Sequence, residues 1–522
     1  MSDTTCAVFA RDVTLDRERI HRFVVGEDAA PTPMTTAEAA QELGDRFATD
    51  VLLQGVFPVT AEATVDAIKA AVPDGDPLRD QMTFILGEGS QIPFSQAPAL
   101  GRSLRFVVTL GATSNGPPEG PDILISVPHP ESTGIELMAW DLEAKGFNYY
   151  RSMGDPPAWV FAGNSRHALV DPTQGKGPFE SHKSGALLMK ELKRPWLHWD
   201  SSDVHIEATA FAAGDDRRTH AWFTGKQIGG AYAFEFEVAK PAMQRWAKAR
   251  FEALLANGGA IERPARIMEQ LLDTPAVNLI TSRRESASAS ASPEPLALPG
   301  TFFIDADGLA IVQLEGPPQF TVRAEVYARS LETFDVKLAD GPGFVQDGDT
   351  HFAFAVPERA FEDLVVLQKA LEIGLVSRRL AACLLMTDFP NPIFSDRRPA
   401  LLARVPPTAQ VTDGGSSFSE EMANAILAEA PDAGAGSPEQ EFAELWNVGE
   451  DFEDQFNALL RDYYEAVNAR LASQAGFDDY FRLAESRRQR VKQTPIFESP
   501  LLFANTNIPP VSLSMQRDGT VV

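Results

Sequence analysis

Ile135-Glu136-Leu137-Met138-Ala139-Trp140-Asp141-Leu142, then Glu143-Ala144-Lys145-Gly146, then Phe147-Asn148-Tyr149-Tyr150-Arg151, is the stretch on which the fold turns. Two β-prone runs flank a short polar segment that ends in glycine, which is the pattern of a hairpin. Working outward, the same grammar repeats. Upstream lie Met82–Leu86, Leu104–Leu110 and Ile123–Val127, each short, β-prone and bounded by Gly, Pro or Asn. Downstream, Gly154-Asp155-Pro156-Pro157 makes a turn into Trp159-Val160-Phe161. Together these predict an antiparallel β-meander. A short strand is expected near Phe23, and helices from Thr36 and over Thr60–Val72 flank the meander. Thr60 is placed to cap the second helix, and Glu62 and Asp66 sit toward its positive end.

Farther along, Asp203–Phe211 and Tyr232–Val238 read as strands, and Ala242–Asn257 as an amphipathic helix ended by Gly258. Residues 282–300, SRRESASASASPEPLALPG, have a linker's composition. They divide the chain into a β-rich domain at 1–281 and an α+β domain at 301–522. In the latter, Thr301–Leu314 reads as a hairpin around Asp307-Gly308, with strands at Phe320–Ala328, Thr333–Leu338 and His351–Val356. Glu358–Met386 reads as helix with a break near Gly374. Phe418–Glu429 is a short helix within a loop-rich region. Residues 438–471 form the best-specified helix, with Ser437 as N-cap, Pro438 at the first position and Gln440 three residues on. Residues 493–522 form an extended, Pro-containing tail. The class expected is α+β.

Composition bounds function. Among 522 residues, 44% are apolar and 23% charged, as in globular proteins. The formal charge of −27 argues against nucleic acid and against an anionic membrane surface. Two cysteines, Cys6 and Cys383, make neither a disulfide framework nor a thiolate zinc site. The N-terminus lacks a secretory pattern, and a cytoplasmic chain is expected.

Chemistry-bearing residues concentrate in Tyr149–Trp222, which holds five of the eight histidines and four of the seven tryptophans. Asp203-x-His205-x-Glu207 puts three possible ligands on one face of the expected strand, with His198 and His182 able to complete a metal site suited to Fe or Zn. Asp200 or His220 could move protons there, and Trp196 and Trp199 could wall a pocket for a cofactor or substrate. A solvated strand face laced with ion pairs is the structural alternative.

His198-Trp199-Asp200 resembles the His-x-Asp part of the iron motif of 2-oxoglutarate-dependent oxygenases, with His351 and Arg359 in the order of their distal ligand and basic residue. That resemblance implies a facial-triad Fe(II) site. Gly177–Ser184 is a near miss to a P-loop, with His182 where a glycine is needed and Pro178 removing an amide, so nucleotide hydrolysis is excluded. The same residues resemble the haem attachment of c-type cytochromes, with Pro178 and Ser181 at the cysteine positions. Only noncovalent haem on His182, with Met189 as a second ligand, would be compatible.

Two functions are expected from this reading. One is a metal- or cofactor-dependent enzyme, an oxidoreductase acting on a small-molecule substrate at residues 182–207. The other is a non-catalytic assembly or interaction protein with a protein partner.

Overall fold

The structure, a computed structural model, describes residues 14–86, 105–111, 120–187, 208–224, 234–256, 258–273, 277–280, 294–340, 344–347, 356–493 and 504–522. The described residues up to 249 form one compact unit and those from 250 onward form a second. The fold is α+β, with a mostly antiparallel eight-stranded sheet in the N-terminal half and helices in the C-terminal half.

The first unit is the expected meander, extended by one outer strand pair. Strands β1 (His21–Arg22), β2 (Thr32–Pro33), β3 (Gln81–Leu86), β4 (Arg105–Leu110), β5 (Ile123–Val127), β6 (Glu136–Asp141), β7 (Gly146–Met153) and β8 (Ala158–Asn164) are ordered β2-β1-β8-β7-β6-β5-β4-β3. All neighbours are antiparallel except β1 and β8. The 135–151 hairpin pairs Leu137 with Tyr150 and Asp141 with Gly146.

Period-two alternation then sorts the side chains. Phe106, Val108, Ile125, Leu137, Tyr150, Trp159 and Phe161 turn to one face. There they pack with Phe47, Val65 and Ile68 from helices Arg46–Asp50 and Ala61–Ala71. Phe47 meets Tyr150 and Trp159 edge-on at 5.4 and 4.9 Å. Each such aromatic contributes about 1.5–3 kcal/mol through burial. Thr60 caps its helix as expected, accepting from the Ala63 amide at 3.2 Å. The opposite face carries Trp140, Phe147 and Tyr149. Arg245 covers Trp140 at 4.2 Å, and the Trp246 indole donates to the Ser184 carbonyl at 2.7 Å.

Several expected strands are helical. The described end of 203–211 is a 3₁₀ turn, Ala208–Ala210, and the described end of 232–238 enters a π-helical turn, Glu235–Ala239, continuous with helix Lys240–Ala256. The hairpin expected at 301–314 is a 3₁₀ turn followed by helix Ala306–Ile311. Asp305 accepts from the Gly308 amide at 3.0 Å, so Asp-Ala-Asp-Gly is a capped first turn rather than a hairpin turn. Likewise Phe320–Ala328 is the two-residue strand Thr321–Val322 followed by helix Ala324–Thr333. Of the expected linker, residues 294–300 are described, and Leu296–Ala297 pairs there with Thr321–Val322.

The remaining helices of the second unit follow the expectation only in part, since Glu358 and Arg359 close the strand Val356–Arg359 before the first helix begins. Phe361–Glu372 and Arg378–Met386 are separated at Gly374, whose φ of +69° suits a residue without Cβ. The expected 438–471 helix is two helices, Pro438–Trp446 and Phe452–Leu471, interrupted at Gly449 with φ +85°. Ser437 caps the first, accepting from the Gln440 amide at 3.2 Å. Helix Gln474–Gln493 completes the bundle. The tail docks on this unit: Ala504–Asn505 pairs with Lys337–Leu338, and residues 514–522 fold back as a small hairpin. Among the described residues no helix is long and apolar enough to cross a membrane.

Candidate functional site

Of the nine residues singled out by sequence for metal, cofactor and proton chemistry, His182 and His220 are described. Trp196, His198, Trp199, Asp200, Asp203, His205 and Glu207 lie outside the described residues. The same holds for His351 and Met189. His182 follows the 3₁₀ turn Gly177–Glu180. Its Nδ1 lies 3.1 Å from the Ala186 carbonyl, and its ring lies 5.2 Å from Tyr149. Tyr149 donates to that same carbonyl at 2.7 Å. His220 accepts from the Trp222 amide through Nδ1 at 3.1 Å, and its Nε2 lies 3.3 Å from Glu62. Tyr149 and Trp222 belong to opposite faces of the sheet, so the structure does not bring His182 and His220 together. Among the described residues no group of three or more His, Cys, Asp or Glu converges in a geometry that could hold a metal ion.

A different place gathers charged groups around a void. In the second unit a cavity of about 660 Å³ is walled by four segments that are remote in sequence. These are the loop after helix Arg378–Met386, helix Pro438–Trp446 with the glycine before it, Arg490 on helix Gln474–Gln493, and the 512–518 part of the tail. Three guanidiniums line it, Arg397, Arg490 and Arg517, with five carboxylates, Asp388, Asp396, Glu441, Glu444 and Asp518.

The loop is built from its buried end. Asp388 has φ +53°, a left-handed conformation that Asp tolerates better than most residues. Its carboxylate accepts from Asn391 Nδ2 at 3.0 Å and from the Ser395 hydroxyl at 2.6 Å. Beneath the loop Arg398, 2% exposed, donates to the carbonyls of Thr387 (2.9 Å), Pro392 (2.6 Å) and Asp388 (3.3 Å). Burial lowers the Arg398 pKa to about 10, with neighbouring Arg359 acting the same way, so the group stays charged at neutral pH. Arg487, also 2% exposed and lowered by burial to about 10, donates to the carbonyls of Phe302 and Pro390. Two buried cations thus satisfy the loop carbonyls that a close-packed bundle would leave without partners.

Glu441 organises the opposite wall. It is 8% exposed and accepts from Arg397 at 2.7 Å, from Arg517 at 2.6 Å and from the Asp388 amide at 3.1 Å. Arg490 forks onto both oxygens of Asp396 at 2.6 and 3.2 Å. Asn391 clamps the tail, donating to the Met515 carbonyl at 2.9 Å and accepting from the Met515 amide at 2.8 Å. Tyr480 holds the hairpin turn by donating to the Gly519 carbonyl at 2.9 Å.

Sequence reading passed over this site. It read the tail as extended, but the lining residues are spread over 388–397, 436–444, 490 and 512–518. The local signal was Asp396-Arg397-Arg398 beside prolines and aromatics, which carries no motif. No family model, curated protein or solved structure matches this chain.

Proposed function

We propose that this chain is a non-catalytic binding protein whose ligand site is the charged cavity of the second unit. The observation that carries this reading is the void of about 660 Å³, a size suited to a small molecule, with charged walls fixed from below by buried arginines. Saturation of its two buried acids, Glu441 and Asp388, favours binding over catalysis. Glu441 already accepts three hydrogen bonds and Asp388 two from side chains, whereas a general base needs a lone pair directed at the proton it removes. We place the protein in the cytoplasm, where its cysteines stay reduced.

A thermal-shift screen of charged metabolites tests the proposal, run on the wild type and on Ser512→Trp, which puts an indole into the exposed wall. At least one compound should raise the melting temperature of the wild type, with the shift lost in the variant. No shift with any compound, or equal shifts in both proteins, would end the proposal.

The other reading, a metal- or cofactor-dependent oxidoreductase at residues 182–207, has its own test. Stoichiometric iron or zinc in purified protein, falling away in His198→Ala, would carry it, and metal-free protein after replete expression would sink it.

A further inference from the structure

We infer that the cavity selects a cationic ligand, one bearing a guanidinium or primary ammonium group, and that Arg517 is an internal occupant of the place this cation takes. The inference rests on the binding reading above and deepens it.

Three observations carry it. The first is charge. Five carboxylates against three guanidiniums leave the lining two negative charges in excess. Each guanidinium is already matched, Arg397 and Arg517 on Glu441 and Arg490 on Asp396, so an anionic ligand would have to displace a carboxylate. Glu444 and Asp518, by contrast, stand exposed on the rim. The second is the seat itself. Buried Glu441 pairs not only with Arg397 but with a guanidinium on the tip of the 514–522 hairpin, 5.8 Å above the Phe389 ring. A carboxylate backed by an aromatic face is a cation seat. The third is how the hairpin is held. Asn391 and Tyr480 grip its backbone, so it stays docked without the Arg517 side chain. Arg517 is 42% exposed at its side chain, which makes its ion pair one that a soluble cation can replace at small cost.

Agmatine, which carries a guanidinium at one end and an ammonium at the other, is the probe. Inorganic phosphate is the anionic arm, and calorimetry on the full chain is the readout. Agmatine should bind the wild type, bind Arg517→Ala about threefold tighter because the competitor is gone, and bind Glu444→Gln about threefold weaker. Glu444 is exposed, so its variant leaves the packing intact. Unchanged or weaker binding to Arg517→Ala would overturn the inference. Binding of phosphate in place of agmatine would overturn it too, while leaving the cavity as a ligand site. Binding of neither would overturn the cation inference alone, since the metabolite screen judges the cavity separately.

Discussion

Asp45 in the first unit and Arg398 in the second are both buried charges, and their surroundings treat them in opposite ways. Asp45, fully buried, caps helix Arg46–Asp50 through the Ala48 amide at 3.0 Å and is held by neutral donors, the Tyr150 hydroxyl and Asn148 Nδ2. Burial pushes its carboxyl up, and the nearby Asp141 adds to the push. The same burial, with Asp45 alongside, raises the Tyr150 phenol well above its usual range. Arg398 remains cationic and spends its donors on loop carbonyls. The first arrangement is a closed clasp tying a helix N-terminus to β7. The second supports a loop from below and leaves the loop's outer surface free to line a cavity. Where a buried charge serves backbone carbonyls of an irregular segment, a site can be built above it. Where it is surrounded by side-chain donors inside a sheet and helix layer, it closes the core.

The comparison can be broken at several points. The largest effect is expected for Arg398→Met, which strips three carbonyls of their donor and should cost about 3–5 kcal/mol in urea unfolding. A loss under about 1 kcal/mol would mean the loop supports itself. Asp45→Ala removes a cap and the acceptor of two buried donors, and about 2–4 kcal/mol should be lost.

Asp45→Asn sharpens the contrast through pH. A carboxyl whose folded pKa is raised contributes stability that is fully present below its unfolded value, near 3.8, and is lost as pH rises through the folded value. Above that window the wild type should be less stable than at its lower end by an amount that Asn, which does not titrate, removes. Parallel stability–pH curves for the two proteins would contradict the raised carboxyl.

A smaller effect in the opposite direction of pH is expected at His21. Its Nδ1 is buried without a hydrogen-bond partner, and desolvation lowers its pKa. A depressed pKa means stability present above the unfolded value of 6.5 and lost as pH falls through the folded value. His21→Leu should reduce the acid sensitivity below pH 6.5 and raise neutral stability by about 1 kcal/mol. A variant with unchanged acid sensitivity would place the titration elsewhere. The most local effect belongs to Asn391→Ala. Releasing the Met515 backbone should cost about 1–2 kcal/mol and speed hydrogen exchange at residues 512–518 selectively. Exchange that rose uniformly across the second unit would show that the clamp is not local.

The meander was readable from short β-prone runs and turn residues, because period-two patterning on a sheet with two covered faces is a local property. The strands read at 301–314 and 320–328 were largely helical, with strand kept only at Thr321–Val322, since short apolar runs of Phe, Ile and Val satisfy either period, and at 301–314 Asp305 settled the matter as a cap. The histidine-rich segment was legible only as composition. What the structure adds there is that His182 and His220 flank opposite faces of one sheet.

By itself, the sequence determined the α+β class, the order of β3 to β8, the caps at Thr60 and Ser437 and the helix break near Gly374. Each of these depends on residues within one or two turns of each other. Only the tertiary structure decided the cavity. Its Arg–carboxylate pairs join residues up to 94 positions apart, as Asp396 and Arg490 do, and Asn391 reaches Met515 across 124. Charge pairing at such separations leaves no periodic trace in the chain, because the geometry is fixed by packed helices between the partners rather than by the residues that meet.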